Sequence, residues 1–260
     1  MLRDLLSAIG VYKIYRSWLR SQIERERLPD HIGVILDGNR RWASAREMIP
    51  WQGHREGAEK VRDFLKWCLD LGIKTITIYA FSTENFNRVD REVEELMKIY
   101  EENLTELLNS EVIHENRVSV RAIGRINLLP EKIRKLIGEV EEATKDYDRF
   151  YLNIALAYGG RAEIVDAAKE IAVKVKEGVL SPDEIDEDLI EDHLYTSYLP
   201  HPDPDLIIRT SGVARLSNFL IWQSAYSELF LIDVYWPDFR EIDLERAIRS
   251  FQNRHRRYGK

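Results

Sequence analysis

An acidic residue, a glycine turn and two arginines follow a short apolar run near the amino end of the chain. Residues 32–36 have the composition of a buried strand, and the Asp-Gly-Asn segment that begins at Asp37 favours a turn and a helix start. Open α/β sheets bind their ligands at the carboxyl ends of strands. A helix amino terminus with Arg40 and Arg41 suits phosphate oxygens, and a carboxylate can hold Mg²⁺ against them. The alternative is a solvated turn.

Polar side chains also follow later strands, which we predict from β-branched and aromatic runs. Ser82 and Glu84 follow the run at residues 74–81, and Arg209 follows the run at 206–208. Because strands alternate with helices, we expect a parallel sheet with these strand ends along one edge. Further residues assigned to this edge are Arg88, Arg161, Arg215 and Glu228. Each arginine alone could be a surface salt-bridge partner, but together they indicate a site for more than one phosphate.

Several motifs of other phosphate and hydrolytic sites are absent from the sequence. It has no G-x-x-x-x-G-K-[ST], G-x-G-x-x-G, H-E-x-x-H or G-x-S-x-G segment. Aromatic residues lie close to the predicted strand ends, although most aromatic residues belong to protein cores. A phosphate site beside apolar material suits a diphosphate with an apolar tail.

The predicted fold is a single α/β domain with a central six-stranded, mostly parallel sheet flanked by helices. The strands are predicted at 32–36, 74–81, 118–124, 150–156, 206–208 and 230–234. The helices are predicted at 54–71, 90–114, 130–145, 162–177 and 243–254, with a short helix after Phe219. An apolar tunnel is expected beside the 90–114 helix, whose Leu96, Met97, Tyr100, Leu104 and Leu108 recur at helical spacing. Ordinary core packing is the alternative for these five residues.

Composition excludes several classes of protein. The 260 residues carry a net charge of −7, which argues against a general nucleic-acid binder. The single cysteine, Cys68, excludes a disulfide framework and a cysteine-based zinc site, and fits a reducing cytoplasm. We find neither an apolar run long enough to span a membrane nor a signal-peptide pattern. A cytoplasmic protein is expected.

Residues 1–28 have the pattern of an amphipathic helix that precedes the main domain at 29–260. Apolar residues recur every three or four positions, and basic residues outnumber acidic ones in the first twenty. Such a helix can lie on a membrane surface, which would make the protein peripherally membrane-bound. It can equally pack on the domain or across a dimer. Both interpretations stay open at this point.

Ordered motifs across residues 29–258 give the chain a resemblance to the cis-prenyltransferases, of the undecaprenyl or dehydrodolichyl diphosphate synthase type. The matching segments are 31–43, 53–58, 79–88, 152–161, 205–223 and 228–239. Arg40, where a glycine is common in bacterial members, and the amino-terminal helix resemble the archaeal and eukaryotic branch. The trans-prenyltransferase motif Asp-Asp-x-x-Asp is absent.

The resemblance implies a homodimer that condenses isopentenyl diphosphate onto farnesyl or geranylgeranyl diphosphate. The product would be a long-chain cis-polyprenyl diphosphate, the precursor of a lipid carrier. It implies that Asp37 holds Mg²⁺, supported by Glu228. The implied allylic diphosphate site comprises Gly38, Asn39, Arg40, Arg41 and Trp42, with Arg88 nearby.

The resemblance also implies the remaining roles. Asn39 and His54 would assist proton movement, and Ser82, Glu84 and Phe86 would lie near the reacting groups. Arg209, Arg215 and Ser217 would bind isopentenyl diphosphate. Arg257 and Gly259 resemble a carboxyl-terminal tail that reaches the partner subunit's site.

One position departs from the family pattern. Pro50 stands where the family has an arginine, and Arg46 or Arg40 are the candidate replacements. Two other functional classes are alternatives. A non-catalytic partner subunit would lose the Asp-Gly-Asn motif, which is present here, and a Mg²⁺-dependent phosphatase would release inorganic phosphate from simple esters.

Overall fold

The computed structural model describes residues 11–254, and its centre is a six-stranded sheet. The strands are β1 (His31–Ile35), β2 (Thr75–Tyr79), β3 (Val118–Ile123), β4 (Phe150–Ala155), β5 (Leu206–Arg209) and β6 (Glu228–Leu231). Their order across the sheet is β3-β4-β2-β1-β5-β6, and every neighbouring pair is parallel. The predicted α/β class and parallel sheet are confirmed. β1 and β2 are buried along their whole length, which fits their mainly apolar and β-branched composition.

Nine helices occur within the described residues. They are α1 (Val11–Ser21), α2 (Asn39–Ser44), α3 (Pro50–Leu71), α4 (Asp90–Leu108), α5 (Glu111–Glu115), α6 (Glu131–Thr144), α7 (Gly160–Lys176), α8 (Glu187–Glu191) and α9 (Glu241–Gln252). The predicted helix at 90–114 is therefore two helices, which are separated at Asn109 and Ser110. The predicted short helix after Phe219 is wrong: this segment forms turns, and Ser217, Asn218 and Leu220 have positive φ angles that an α-helix does not allow.

The strand register brings the polar strand ends together. Ile35, at the end of β1, pairs with Tyr79 of β2 and with Arg209 of β5. Asp37 follows two residues after Ile35, so it lies at the same edge as Arg209. The expectation that these residues share one edge is confirmed for β1, β2 and β5.

Glu228 lies elsewhere, and its assignment to the polar edge was wrong. It is the first residue of β6 and pairs in register with Leu206, which in turn pairs with Ile32. Five residues of rise therefore separate it from Asp37 along the strands, roughly 16 Å. Its carboxylate pairs instead with Arg254. Within one chain, Glu228 and Asp37 do not share a metal ion.

Helix α1 packs on the domain along α9. Leu19 is fully buried, and Arg16 pairs with Glu241. Ile14 is 72% exposed, and Trp18 is 46% exposed although the Arg249 guanidinium of α9 lies 4.8 Å from its ring. Continuous helix does not extend to residue 28, because α1 ends at Ser21 and a short 3₁₀ turn follows at Arg25–Arg27. Residues 1–10 lie outside the described residues. Among residues 11–254, no helix is long and apolar enough to span a bilayer.

Candidate active site

Asp37 is fixed at the end of β1 by groups from β5. Its backbone N–H donates to Thr210 Oγ1 at 3.0 Å, and Thr210 Oγ1 donates to the Asp37 carbonyl at 2.7 Å. Arg209 donates to carboxylate Oδ2 at 2.7 Å, and Arg41 donates to Oδ1 at 3.0 Å. Burial alone would raise the pKa of Asp37, but hydrogen bonds and charge from Arg209, Ser211 and Arg41 outweigh it and hold the pKa below its ordinary value. The carboxylate is ionised at neutral pH.

Gly38 turns the chain from β1 into helix α2. Its φ of 106° lies in the region that favours glycine, and an added Cβ would lie 2.7 Å from the ring of Tyr235. The same tyrosine ring lies 5.5 Å from the Arg41 guanidinium. After this turn, Arg41 of α2 reaches the carboxylate of Asp37.

Two glycines of α3 let that helix lie against the turn. A Cβ on Gly53 would be 2.1 Å from the carbonyl oxygen of Asn39, and a Cβ on Gly57 would be 2.6 Å from Asn39 Oδ1. Asn39 Oδ1 is buried and has no hydrogen-bond partner among the described residues. The close packing of α3 therefore encloses the Asn39 side chain and leaves its oxygen without a partner among the described residues.

His54, one turn into α3, belongs to a buried charged cluster around Glu92 of α4. His54 Nε2 lies 3.2 Å from Glu92 Oε1, to which Arg88 also donates at 3.0 Å, and Arg40 Nε lies 3.7 Å away. Burial and then the charge of Arg88 lower the pKa of His54 by more than the contacts with Glu92 raise it. The imidazole is neutral at neutral pH.

The end of β2 meets the loop after β5 through Asn218. Its side chain donates to Glu84 Oε1 at 3.0 Å and accepts from the N–H of Arg161 at 2.9 Å. On the other side, Arg209 donates to Ser217 Oγ at 2.7 Å and to the carbonyl of Arg215. Glu84, Asn218 and Ser217 thus line the same opening as Asp37 and Arg209.

Two adjoining cavities meet at this edge. A polar cleft of about 580 Å³ is lined by residues that include Gly38, Arg40, Arg41, Pro50 and Arg88. A larger cavity of about 900 Å³ runs between the sheet and helices α3 and α4, with mostly aliphatic walls. Asp37, Asn39, His54 and Arg88 line both. A charged site therefore opens directly into apolar space.

Comparisons with known proteins show the family of the chain. Residues 35–259 match the family described as putative undecaprenyl diphosphate synthase. The chain belongs to the undecaprenyl diphosphate synthase family. It is 55% identical to a tritrans,polycis-undecaprenyl-diphosphate synthase (geranylgeranyl-diphosphate specific) of Methanocaldococcus jannaschii, over 96% of this chain and 90% of that protein. A protein of the same name from Methanopyrus kandleri is also 55% identical, over 96% and 92% of the two chains.

Solved structures of the undecaprenyl diphosphate synthase family share the fold. Lavandulyl diphosphate synthase from Lavandula x intermedia, in complex with dimethylallyl diphosphate, superposes with a TM-score of 0.87 at 39% identity, covering 90% of this chain and all of that one. A probable undecaprenyl diphosphate synthase from Campylobacter jejuni superposes with a TM-score of 0.72 at 33% identity, over 89% and 99%.

The structure brings most of the predicted family site residues to the two cavities, but not all. Trp42 lines neither cavity, and the guanidinium of Arg46 lies 4.0 Å over its ring. Phe86 packs edge-on against Phe81 at 4.8 Å, as part of the core. Arg215 has an exposed side chain outside both cavities, and only its carbonyl joins the site. Arg257 and Gly259 lie outside the described residues.

The family arginine missing at Pro50 has one candidate replacement at the site. Arg40 lines the polar cleft near Glu92, whereas Arg46 is held by Asp238 at 3.2 Å and by Trp42. Pro50 itself is the first residue of α3 and lines the cleft. The structure therefore favours Arg40 over Arg46.

Five residues that organise the site were not among the predicted site residues. They are Glu92, Thr210, Ser211, Asn218 and Tyr235. Glu92 lies in the first turn of α4 and pairs with Arg88, which precedes that helix, so helical spacing did not indicate the pair. The other four act across strand ends and loops, where sequence spacing does not indicate contacts either.

The groups around Asp37 suit one magnesium ion shared with a phosphorylated ligand. Mg²⁺ binds through one or two carboxylates together with substrate phosphates. Asp37 provides an ionised carboxylate that is 26% exposed to the cleft. Arg41 and Arg209, which now neutralise it, are also able to bind phosphate oxygens as forks.

Proposed function

We propose that this chain is a Mg²⁺-dependent cis-prenyltransferase. It condenses isopentenyl diphosphate onto an allylic diphosphate, geranylgeranyl diphosphate as in the named relatives, and makes a long cis-polyprenyl diphosphate. The observation that carries the proposal is the polar cleft at Asp37 opening into an apolar cavity of about 900 Å³. A diphosphate with a growing hydrocarbon tail needs both compartments, side by side.

In this mechanism the allylic diphosphate lies in the polar cleft. Arg40, Arg41 and Arg88 line that cleft and bind its phosphate oxygens. Asp37 would hold Mg²⁺, which supplies charge neutralisation for the departing diphosphate. The arginines stabilise the same negative charge as the bond to the allylic carbon breaks. The aliphatic walls of the cavity exclude water from the cation-like carbon.

Isopentenyl diphosphate lies on the β5 side of Asp37. Arg209 and Ser217 form its diphosphate site, and the exposed side chain of Arg215 would bind the same diphosphate from outside the cavity. Loss of a proton completes each condensation. His54 is neutral, and because its Nε2 faces Glu92, Nδ1 is the nitrogen able to take a proton. Asn39, which lines both cavities with His54, is the second residue proposed to assist this step by orienting groups near the released proton.

The proposal includes the assembly and the location of the enzyme. It is a cytoplasmic homodimer, in which Arg257 and Gly259 complete the site of the other subunit. The resemblance in sequence supports this part of the proposal. The exposed Ile14 and Trp18 of α1 support peripheral contact with a membrane, where a long polyprenyl product would be released.

Purified protein incubated with Mg²⁺, radiolabelled isopentenyl diphosphate and geranylgeranyl diphosphate tests the proposal. We expect labelled polyprenyl diphosphates whose new double bonds are cis. Chelation of Mg²⁺ should abolish their formation. Release of inorganic phosphate without incorporation of label would indicate a phosphatase instead. An inactive chain that increases the turnover of a second prenyltransferase would indicate a partner subunit.

A further inference from the structure

The large cavity has a polar stretch on the side away from the sheet. Along most of their length, α3 and α4 contribute aliphatic side chains to its wall. Between the two helices the lining becomes charged and half-exposed, with Arg62, Asp63 and Lys66 from α3 and Asn103 and Glu106 from α4. The cavity thus reaches the protein surface through the seam between these helices.

Arg62 bridges that seam. Its guanidinium pairs with Glu106 of α4 and also donates to Asn103 Oδ1 at 3.4 Å. The Asn103 amide N–H₂ donates to the Ile99 carbonyl at 2.7 Å, which leaves its oxygen turned toward Arg62. Glu59, on the same helix as Arg62, accepts from it at 2.7 Å. Three acceptors therefore hold one guanidinium across the opening.

A long product cannot lie straight within the cavity. The lining runs along α3 from His54 to Leu69, fifteen residues and thus roughly 22 Å of helix. Each isoprene unit adds four carbon–carbon bonds of about 1.5 Å, so eleven units have a contour length of roughly 65 Å. If the proposed function is correct, the tail must fold back or leave the cavity before synthesis is complete.

We propose that the bridge from Arg62 to Glu106 and Asn103 is a latch over a lateral outlet, and that it sets product length. The proposal rests on the proposed function. While the latch is closed, the tail meets a charged bridge that it cannot solvate, and further extension becomes unfavourable. When the bridge opens, the tail passes between α3 and α4 and elongation continues.

The chain offers a matched control on the same two helices. Arg55 of α3 donates to both carboxylate oxygens of Glu102 of α4, at 2.7 and 3.2 Å. Its exposed side-chain fraction, 46%, is close to the 41% of Arg62. Neither Arg55 nor Glu102 lines the cavity. Removing the Arg55–Glu102 pair therefore weakens a contact between α3 and α4 without changing the outlet.

Product-length analysis with the full chain tests the latch. We expect Arg62→Ala to shift the main product upward by at least one five-carbon unit, whereas Arg55→Ala keeps the wild-type product. Arg62→Glu should lengthen the product as well, because it faces Glu106 and Glu59. Combining it with Glu106→Arg restores an opposite-charge pair and should restore the wild-type length. Exposed ion pairs contribute little to stability, so these variants are expected to fold.

Binding of saturated alkyl diphosphates gives a readout that does not need turnover, since they form no allylic cation. Affinity should rise by about fourfold per buried methylene until the tail reaches the seam, and then level off. In Arg62→Ala the rise should continue to longer chains, but in Arg55→Ala it should stop where the wild type stops.

The two proposals fail in different ways. If the wild type binds the alkyl series but makes no polyprenyl product, the proposed function is wrong and the binding series still decides the latch. Identical products and identical binding series for wild type, Arg62→Ala and Arg55→Ala would overturn the latch. Absence of any alkyl diphosphate binding would also overturn it, because the cavity would then hold no tail.

Discussion

Arg209 Nη2 lies 2.7 Å from Asp37 Oδ2, so that the ends of β5 and β1 are joined by an ion pair at the centre of the site. The guanidinium is nearly buried, with 7% of its side chain exposed, whereas 26% of the Asp37 side chain is exposed. Removing the carboxylate therefore leaves a largely buried positive charge without its partner. The role of Asp37 should therefore be tested with asparagine as well as with alanine at this position.

We predict that Asp37→Asn lowers kcat by about a hundredfold or more, because the amide neither holds Mg²⁺ nor carries charge. Measurement of turnover over a range of Mg²⁺ concentrations, with thermal unfolding in parallel, checks this. Asp37→Ala should in addition lower stability by roughly 1.5–3 kcal/mol, through the lost charged hydrogen bonds. Normal turnover in a folded Asp37→Asn would disprove the metal role.

We predict that substitutions on the two sides of Asp37 change the KM values of two different substrates. Arg88→Gln removes a guanidinium from the polar cleft and should raise KM for the allylic substrate by roughly tenfold or more. Arg215→Gln, on the β5 side, should raise KM for isopentenyl diphosphate and leave the allylic KM nearly unchanged. Initial-rate kinetics with each substrate varied in turn measure both constants. The opposite pattern would show that the two diphosphate sites are exchanged.

Gly53 allows α3 to pack closely against the turn that follows Asp37. A Cβ there would lie 2.1 Å from the Asn39 carbonyl oxygen, so Gly53→Ala must displace α3 and with it His54. We expect a severe loss of kcat and a lower Tm. Gly138→Ala in α6 is the matched control, since its Cβ meets no atom within 4 Å. It should raise stability by up to about 1 kcal/mol, through better helix propensity, and keep full activity. Equal behaviour of the two variants would argue against this packing role.

Sequence patterns predicted the parts of the site that follow from topology. Once strands and helices alternate, a parallel sheet must place Asp37 and Arg209 at one edge, and the register confirms this. Glu228 was misplaced because it precedes the strand predicted at 230–234, and a parallel sheet puts the beginning of that strand at the edge opposite Asp37. Glu92 was not predicted as a site residue because its role depends on tertiary contacts. Its partners His54 and Arg40 come from two other helices.

The loop after β5 could not be predicted from helical periodicity. Ser217, Asn218 and Leu220 adopt positive φ angles, which cost energy in non-glycine residues and persist only where tertiary contacts hold them. Here Ser217 bonds to Arg209, and Asn218 bonds to Glu84 and to the start of α7. The same contacts that define the site therefore override the local preference for helix.

We predict that His31 makes the stability of the protein sensitive to acid. Its imidazole is fully buried between Thr77 Oγ1, at 2.7 Å, and the His201 carbonyl, at 3.0 Å. Burial lowers the pKa of His31 to about 4. The unfolded chain therefore takes up a proton at higher pH than the folded one, and stability falls as pH drops from about 6.5 toward 4. The expected contribution is roughly 3 kcal/mol over that interval.

Urea unfolding at pH 7 and at pH 4.5 measures this dependence. His31→Gln should be less stable than wild type at pH 7, through imperfect packing, yet lose less stability between the two pH values. His201→Gln, which changes an exposed imidazole, is the control and should behave as wild type does. If His31→Gln keeps the wild-type difference between the two pH values, the acid sensitivity belongs to other groups.

A substitution on the outer face of α1 tests whether this helix contacts a membrane or only packs on the domain. Arg16 is paired with Glu241, so the basic charge of this helix is partly neutralised and the exposed Ile14 and Trp18 are the candidate membrane contacts. We predict that Ile14→Glu weakens binding to anionic phospholipid vesicles several-fold and slows release of long products, without changing Tm. Val179→Glu is the matched control, because Val179 is 73% exposed against 72% for Ile14 but lies beyond α7. Vesicle co-sedimentation measures the difference, and equal binding of both variants and wild type would leave α1 with a packing role alone.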